Sequence, residues 1–383
     1  MRILCALGNF VRPIPTAEML LCAQLALWSV PASTQTNAPS MEPSLHLSTN
    51  GRFGQDELDA QLRGPEQISK IRARAEKGSA RDQFLMGYAF SKGLNLPLDL
   101  PQAIVWYRKA ANQAEPAAIT ELGRMYVQGA GVPQDYREGL MWLRRAAADG
   151  YAPAQTDVGL LYSQGLGVPA DYESAVRWWE QAAKQGYAPA ESNLGVAYLN
   201  GMGIAANPAR AAEWLRKAAD SGLQTAQFDL GSCYETGQGV EQDLAAAVAW
   251  YQKAARQGHA GALNNLASMY QAGRGVPQDT TRALRFFLLA AQNGNMKAAI
   301  NMANIFRVGI GVKPDPELAV MWLLIAADGG EDVKESLRTA NLEINKHQLD
   351  DARQQARTWR TQHHLEAVPP DVASSASGEL SHR

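Results

Sequence analysis

The sequence predicts an all-α fold: an α-solenoid of seven 36-residue helix-turn-helix repeats, closed by capping helices at both ends. Three observations carry that expectation. The 383-residue chain repeats on itself every 36 residues, without an insertion, from 82 to 333; self-similarity at a fixed period is the mark of a stacked repeat architecture. Aromatic residues recur in register, as Trp106, Trp142, Trp178, Trp214, Trp250, Phe286 and Trp322, and as Phe90, Tyr126, Tyr162, Tyr198, Tyr234, Tyr270 and Phe306. Helix stop and start signals recur with them. Gly93, Gly129, Gly165, Gly201, Gly237, Gly273 and Gly309 stand where a first helix would end, and Asp99, Asp135, Asp171, Asn207, Asp243, Asp279 and Asp315 where a second would begin.

Taken in chain order, residues 1–32 read as a secretory signal peptide. Arg2 and Arg12 precede an apolar run from Met19 to Val30, and the small-residue pair Val30 and Ala32 sets a cleavage site near Ala32. Glu18, Pro13 and Pro15 stand against this reading, and the alternative is a cytoplasmic chain with no leader. Leu21 before Cys22 is not the small residue that a lipid-attachment site needs. Residues 33–54, rich in Ser, Thr, Pro, Asn and Gly, read as a flexible linker with too little apolar surface to offset chain entropy.

An N-terminal capping half-repeat is expected over 55–81, with Ile68, Ile71, Ala75 and Gly78 in the second-helix columns. In the repeats at 82–333, the unit around Ala154 is typical. Val158, Gly159 and Tyr162 share one helical face, the loop from Gly165 to Ala170 follows, and Asp171 caps a second helix. The inner face of that second helix reads Ala175, Trp178, Trp179, Ala182 and Ala183, and Gly186 ends it. A single unit has too few large apolar side chains to offset the entropy of ordering itself, so the units must stack. The first unit departs from the pattern, with Asn95 and Ala114 in place of two glycines. C-terminal capping helices are expected over 334–367, with Val333, Leu337 and Ala340 on one face, then Leu349, Ala352, Ala356 and Trp359 on another. Residues 368–383 read as a disordered tail.

Composition excludes several classes of function. With 36 Lys+Arg against 38 Asp+Glu the net charge is −2, which does not suit a nucleic-acid partner. No apolar run is long enough for an integral membrane span, and three cysteines cannot staple a disulfide framework. The sequence has no HExxH, CxxC, GxSxG or SxxK, so neither a metal nor a cofactor is expected. Cys233 with His259 could be drawn as nucleophile and base. The Cys233 column, however, holds Met125, Leu161, Ala197, Met269 and Ile305, which marks a small buried apolar position. The GxGV loops lie between helices and no Lys-Ser/Thr follows them, so they read as turn geometry rather than phosphate cradles. The tryptophan column reads as core rather than a ligand cage.

The run Ala154...Val158-Gly159...Tyr162...Gly165-x-Gly167-Val168...Asp171...Ala175...Trp178-Trp179...Ala182-Ala183...Gly186 resembles the SEL-one-like repeat (SLR) family, relatives of the tetratricopeptide repeats. The resemblance covers 252 of 383 residues. It implies a right-handed superhelix whose first helices line a concave face, and a binding scaffold or adaptor rather than an enzyme, as in bacterial envelope members. A cysteine-rich branch of the family is linked to β-lactam chemistry; the repeats here lack its paired cysteines. A secreted or periplasmic hydrolase acting on β-lactam or peptidoglycan is therefore the alternative reading.

One polar column is the candidate site. The fourth position of the first helices reads Leu85, Glu121, Asp157, Asn193, Asp229, Asn265 and Asn301, and Gln128, Gln164, Asn200 and Thr236 follow seven residues later. By the resemblance this ladder would line the groove, where amides can pair with the backbone of a partner protein or peptide. The same groups could instead brace neighbouring repeats. The acids Glu121, Asp157 and Asp229 would favour a basic partner.

Overall fold

The computed structural model describes residues 52–363. The leader, most of the linker and the tail lie outside the described residues. Among the described residues there are eighteen α-helices and no strand. They fall into two compact units, one ending at Gln242 and the other beginning at Asp243.

The first unit opens with α1 (Arg52–Gln61) and α2 (Pro65–Glu76). Helix pairs follow: α3 (Ala80–Lys92) with α4 (Leu100–Ala111), α5 (Pro116–Gln128) with α6 (Tyr136–Ala148), α7 (Ala152–Gln164) with α8 (Tyr172–Ala183), and α9 (Ala188–Asn200) with α10 (Pro208–Asp220). Helix α11 (Gln224–Thr236) ends it. Within each unit the first helices pack on the second helix of their own repeat and on that of the repeat before. The second unit contains α12 (Leu244–Arg256), α13 (Ala260–Ala272), α14 (Thr280–Gln292), α15 (Met296–Val308) and α16 (Pro316–Asp328), then α17 (Lys334–Asn341) and α18 (Lys346–Gln362).

The cap column does what its side chains allow. Asp171 accepts from the Ser174 N–H at 3.0 Å, and the other six members accept in the same way from the first turn of their helices. This satisfies backbone donors that have no partner inside the helix. Helix α7 stops where Gly165 takes φ +68. Two residues on, Gly167 has φ +74, and a Cβ there would sit 2.6 Å from the Tyr136 carbonyl oxygen at the start of α6. The loop glycine is thus a contact with the preceding repeat, in keeping with a turn-geometry role.

Mid-helix glycines set the pairing distance within a repeat. A Cβ on Gly159 would lie 2.5 Å from Trp179 Nε1, so only glycine lets α7 and α8 approach this closely. Trp179 in turn donates to the Thr156 carbonyl at 3.2 Å. The junctions between repeats carry their own ties. Gln83, Gln155 and Gln227 donate to the Ala75, Ala147 and Ala219 carbonyls, each at the end of the preceding second helix.

Two expectations need correction. The tryptophan column is core, but not its centre: Trp106, Trp250 and Trp322 are buried, while Trp142, Trp178 and Trp214 are partly buried and pack against the core from its edge. The fully enclosed column is the next one, Tyr107, Leu143, Trp179, Leu215, Tyr251, Phe287 and Leu323. One residue is about 100° of helix rotation, and it is this column that faces the mid-helix glycines. The linker is also shorter than read. Helix α1 begins at Arg52, and its Leu58 and the Leu62 just beyond its end are buried. Tyr88 donates to Asp59 at 3.1 Å and Asn95 to the Leu62 carbonyl at 2.8 Å, so two helices rather than one close the first repeat. Asn95 and Ala114 keep the positive φ, +54 and +62, of the glycines that they replace.

At the other end, the face of α18 predicted from Ala352, Ala356 and Trp359 is buried. Trp359 meets Trp322 edge-on with centroids 5.4 Å apart, and Arg360 pairs with Asp328 at 2.5 Å.

Candidate interaction surface on the first helices

The polar ladder lies on the first helices as expected, and most of its members are committed to one another. Asp157 on α7 is wholly buried, with 0% exposure. Its Oδ2 accepts from Arg124 Nε of α5 at 2.6 Å, while Arg124 Nη1 donates to Glu121 at 2.7 Å. Burial opposes a charge on Arg124, but the adjacent Asp157 and Glu121 carboxylates more than offset it and hold the guanidinium well above its usual range. This is a buried three-residue ion network joining two repeats. At Glu121 and Asp157 the bracing reading holds. Asp157 is shut away from any partner, while the network as a whole keeps one negative charge, and its exposed part is Glu121.

The second unit has a neutral counterpart. Asn265 donates to the Tyr251 hydroxyl at 3.1 Å, and Asn301 donates at 3.0 Å to Asn264, which itself lies 3.4 Å from Asn265. The chain of bonds runs from α12 through α13 to α15 and ties adjacent repeats as the ion network does in the first unit. Leu85, at the head of the ladder, is core.

The remaining members differ. Asp229 on α11 has its carboxyl pushed up to about 7 by burial. Asn193 on α9 is half-buried, and among the described residues its amide has no hydrogen-bond partner. Gln128, Asn200 and Thr236 are exposed and Gln164 half-buried, each being the last residue of its helix. What the ladder presents outward is therefore a set of neutral amides and one hydroxyl around Asn193, with the partly exposed Glu121 carboxylate as its charged member.

The surroundings of Cys233 disfavour a thiolate, and His259 serves as a helix cap. Cys233 is fully buried, and burial with Asp229 one turn away pushes its thiol up to about 12. Burial lowers His259 to about 4, and its Nδ1 accepts from the Ala262 N–H, capping α13. Among the described residues no group of three or more His, Cys, Asp or Glu could hold a metal ion. No helix among them is long and apolar enough to cross a membrane.

Arg124 was not among the residues singled out from the sequence. Its column otherwise reads Tyr88, Leu160, Val196, Ser232, Ser268 and Asn304, and nothing in that mixture signals a buried cation.

Comparison with known proteins agrees with this architecture. The Sel1 repeat pattern matches residues 80–115, 116–151, 152–187, 188–223, 224–259, 260–295 and 297–331. Among solved structures the chain is similar to a protective antigen present in uropathogenic Escherichia coli strains, displaying an SLR fold. The two are 32% identical with a TM-score of 0.61, over 76% of this chain and 64% of that one, so this chain spans just under two thirds of the antigen's length. A Sel1 repeat protein from Oxalobacter formigenes is 33% identical with a TM-score of 0.58, over 64% of this chain and 96% of its own. No curated protein matches.

Proposed function

This chain belongs to the Sel1 repeat family, and from that premise we propose that it is a non-enzymatic scaffold of the bacterial cell envelope that holds a partner protein or peptide on the first-helix surface of its repeats. Sel1 repeats generally serve as protein-interaction scaffolds. The observation that carries the reading to a particular surface is Asn193. It is partly exposed and makes no side-chain bond to a neighbouring repeat, whereas Asp157, Asn265 and Asn301 in the same column are tied to other side chains. A free amide with a donor and an acceptor side by side suits the N–H and C=O of an extended peptide backbone.

Export rests on the order of features in residues 1–32, with a basic start, an apolar run and a small-residue site near Ala32. The likeness to an antigen of uropathogenic Escherichia coli fits that placement.

A photoreactive residue at position 193, activated in the native host, tests both parts. The expected result is one dominant envelope protein cross-linked to bait whose N-terminus lies near Ser33, with capture reduced about tenfold by Asn193→Ala in a competition format. Absence of any adduct would overturn the surface, and bait that retains Met1 with cytoplasmic adducts would overturn the envelope placement.

A further inference from the structure

The outward faces of the second helices carry a pattern that the first-helix surface does not use. Arg72 of α2, Arg108 of α4 and Arg144 of α6 occupy the same position on three successive second helices, and all three are exposed; α8 has Glu180 there. Lys109 and Arg145 stand beside them, also exposed. Helix α4 contains no acidic residue. The single acid of α6, Glu138, accepts from Trp142 Nε1 at 3.0 Å. The faces of α4 and α6 are therefore basic without compensation, whereas α2 carries Glu66 and Glu76 beside its basic residues and α8 and α10 mix both signs.

An independent observation falls on the same two helices. Val105 and Met141 are 46% and 55% exposed, and each lies three residues before its arginine, which makes the two side chains neighbours on the helix surface. The same position in the next repeats is Arg177 and then Glu213. Within the first unit, α4 and α6 are the second helices that combine an exposed aliphatic side chain with basic charge and no free acid; in the second unit Leu289 beside Arg285 on α14 repeats the combination.

The cations are also held in place. Arg108 donates to the Tyr126 hydroxyl of the following repeat at 3.0 Å. Arg144 donates to the Tyr162 hydroxyl, with its guanidinium 5.3 Å from the centre of that ring. Arg145 reaches the Ala111 carbonyl at 3.1 Å, which sets α4 and α6 side by side, and Lys109 lies 4.2 Å from the Trp106 ring centre. Cations near a helix C-terminus complement its dipole and by themselves indicate no partner. The dipole does not account for the exposed Val105 and Met141; the arginine–tyrosine tie recurs on α10 between Arg216 and Tyr234 and serves here to hold the cations in place.

We propose that α2, α4 and α6 form a docking surface for an extended acidic segment of a partner protein, with apolar residues between its carboxylates. The surface is separate from the one centred on Asn193, and neither depends on the other. Successive arginines stand roughly one helix diameter apart, about 10–12 Å, and an extended chain advances about 3.3–3.6 Å per residue. Carboxylates at about every third residue therefore meet Arg72, Arg108 and Arg144 in turn, each pair able to form two parallel hydrogen bonds. The residues between them rest on Val105 and Met141.

The test uses the protein from Ser33 onward and a short fluorescein-labelled peptide of repeated Glu-Leu-Ser units, followed by anisotropy. Comparators are the same peptide with Lys for Glu, poly(A) RNA, and phosphatidylglycerol vesicles. The expected result is binding of the glutamate peptide that weakens with salt and falls by at least about tenfold in Arg72→Gln/Arg108→Gln/Arg144→Gln and, separately, by a smaller factor in Met141→Ser. The charge-reversed triple variant, with Glu at the three positions, should switch preference to the lysine peptide, and Asn193→Ala should leave glutamate-peptide binding unchanged. Equal binding of the glutamate and lysine peptides, no loss in the glutamine variant while its helical circular dichroism is intact, or tighter binding to the RNA or the vesicles would overturn the proposal.

Discussion

At the scale of the residue, the most consequential side chains are charged groups removed from water. Asp229 illustrates the sign. Its carboxyl has an ordinary value near 4 in the unfolded chain, and burial raises it to about 7 in the fold. The folded state therefore holds its proton longer. The stability associated with the protonated form is fully present at acid pH and is lost as pH rises from about 4 through 7. Asp229→Asn removes that loss, so the variant should match the parent at pH 4 and exceed it at pH 8 by about 1–2 kcal/mol, the residue's partial exposure limiting the gain. Urea unfolding at the two pH values checks this, and an equal gain at both would show that burial of the charge is not the cause. The sequence placed Asp229 in the right column but could not show its burial, because Asn193 and Asn265, its counterparts in the neighbouring repeats, give no hint of a titrating group.

At the scale of the element, the junctions are fastened by different chemistry in different places. Asp157→Ala would leave Arg124 buried with Glu121 as its remaining carboxylate, and should cost about 2–4 kcal/mol. Replacing the pair together, Arg124→Met with Asp157→Leu, should recover most of that loss. A thermal double-mutant cycle separates the two cases: additivity would mean that Arg124 and Asp157 do not act as a pair. The glutamine ties show the same economy of position. In the fourth repeat Glu191 stands where Gln155 and Gln227 donate to a carbonyl, and only a protonated carboxyl can donate there. Burial raises the Glu191 carboxyl, with Lys217 pulling it back.

Helix starts, helix stops and the period were legible because each depends on one residue type at one place, such as Asp171 at a cap or Gly165 at a left-handed turn. Which of two adjacent apolar columns is the core was not legible. Trp178 and Trp179 are both large, and only the approach of Gly159 decides that Trp179 points inward. Helix α1 was masked for a similar reason, since Leu58 and Leu62 give too short an apolar face to outweigh the polar composition before them. In the candidate site, the position of the ladder was readable and its commitments were not, because Arg124 has no counterpart in the other repeats.

At the scale of the whole molecule, stability in a stack of repeats is a sum of unit and junction contributions. Excising 188–223 should leave a folded helical protein with a transition a few degrees lower. Excising 152–187, an equal length, removes Asp157 and should lower the transition further. Calorimetry on the two deletions checks this, and equal transitions would mean that the ion network contributes nothing to the ranking.

The loop glycine that touches the start of the second helix in the preceding repeat has a consequence for how such a chain can change over generations. Gly167 meets Tyr136, and Gly275 meets Leu244 in the same way one hundred and eight residues later, the interval of three repeats. Every repeat after the first carries the same plug in its loop and meets the same socket, the start of the second helix before it. A recombination between sister repeats in the gene adds or removes a whole number of codons and still leaves every plug facing a socket. Length can therefore be gained or shed by inheritance without redesign, while the Arg124 and Asp157 pair marks the neighbours that selection cannot reshuffle freely.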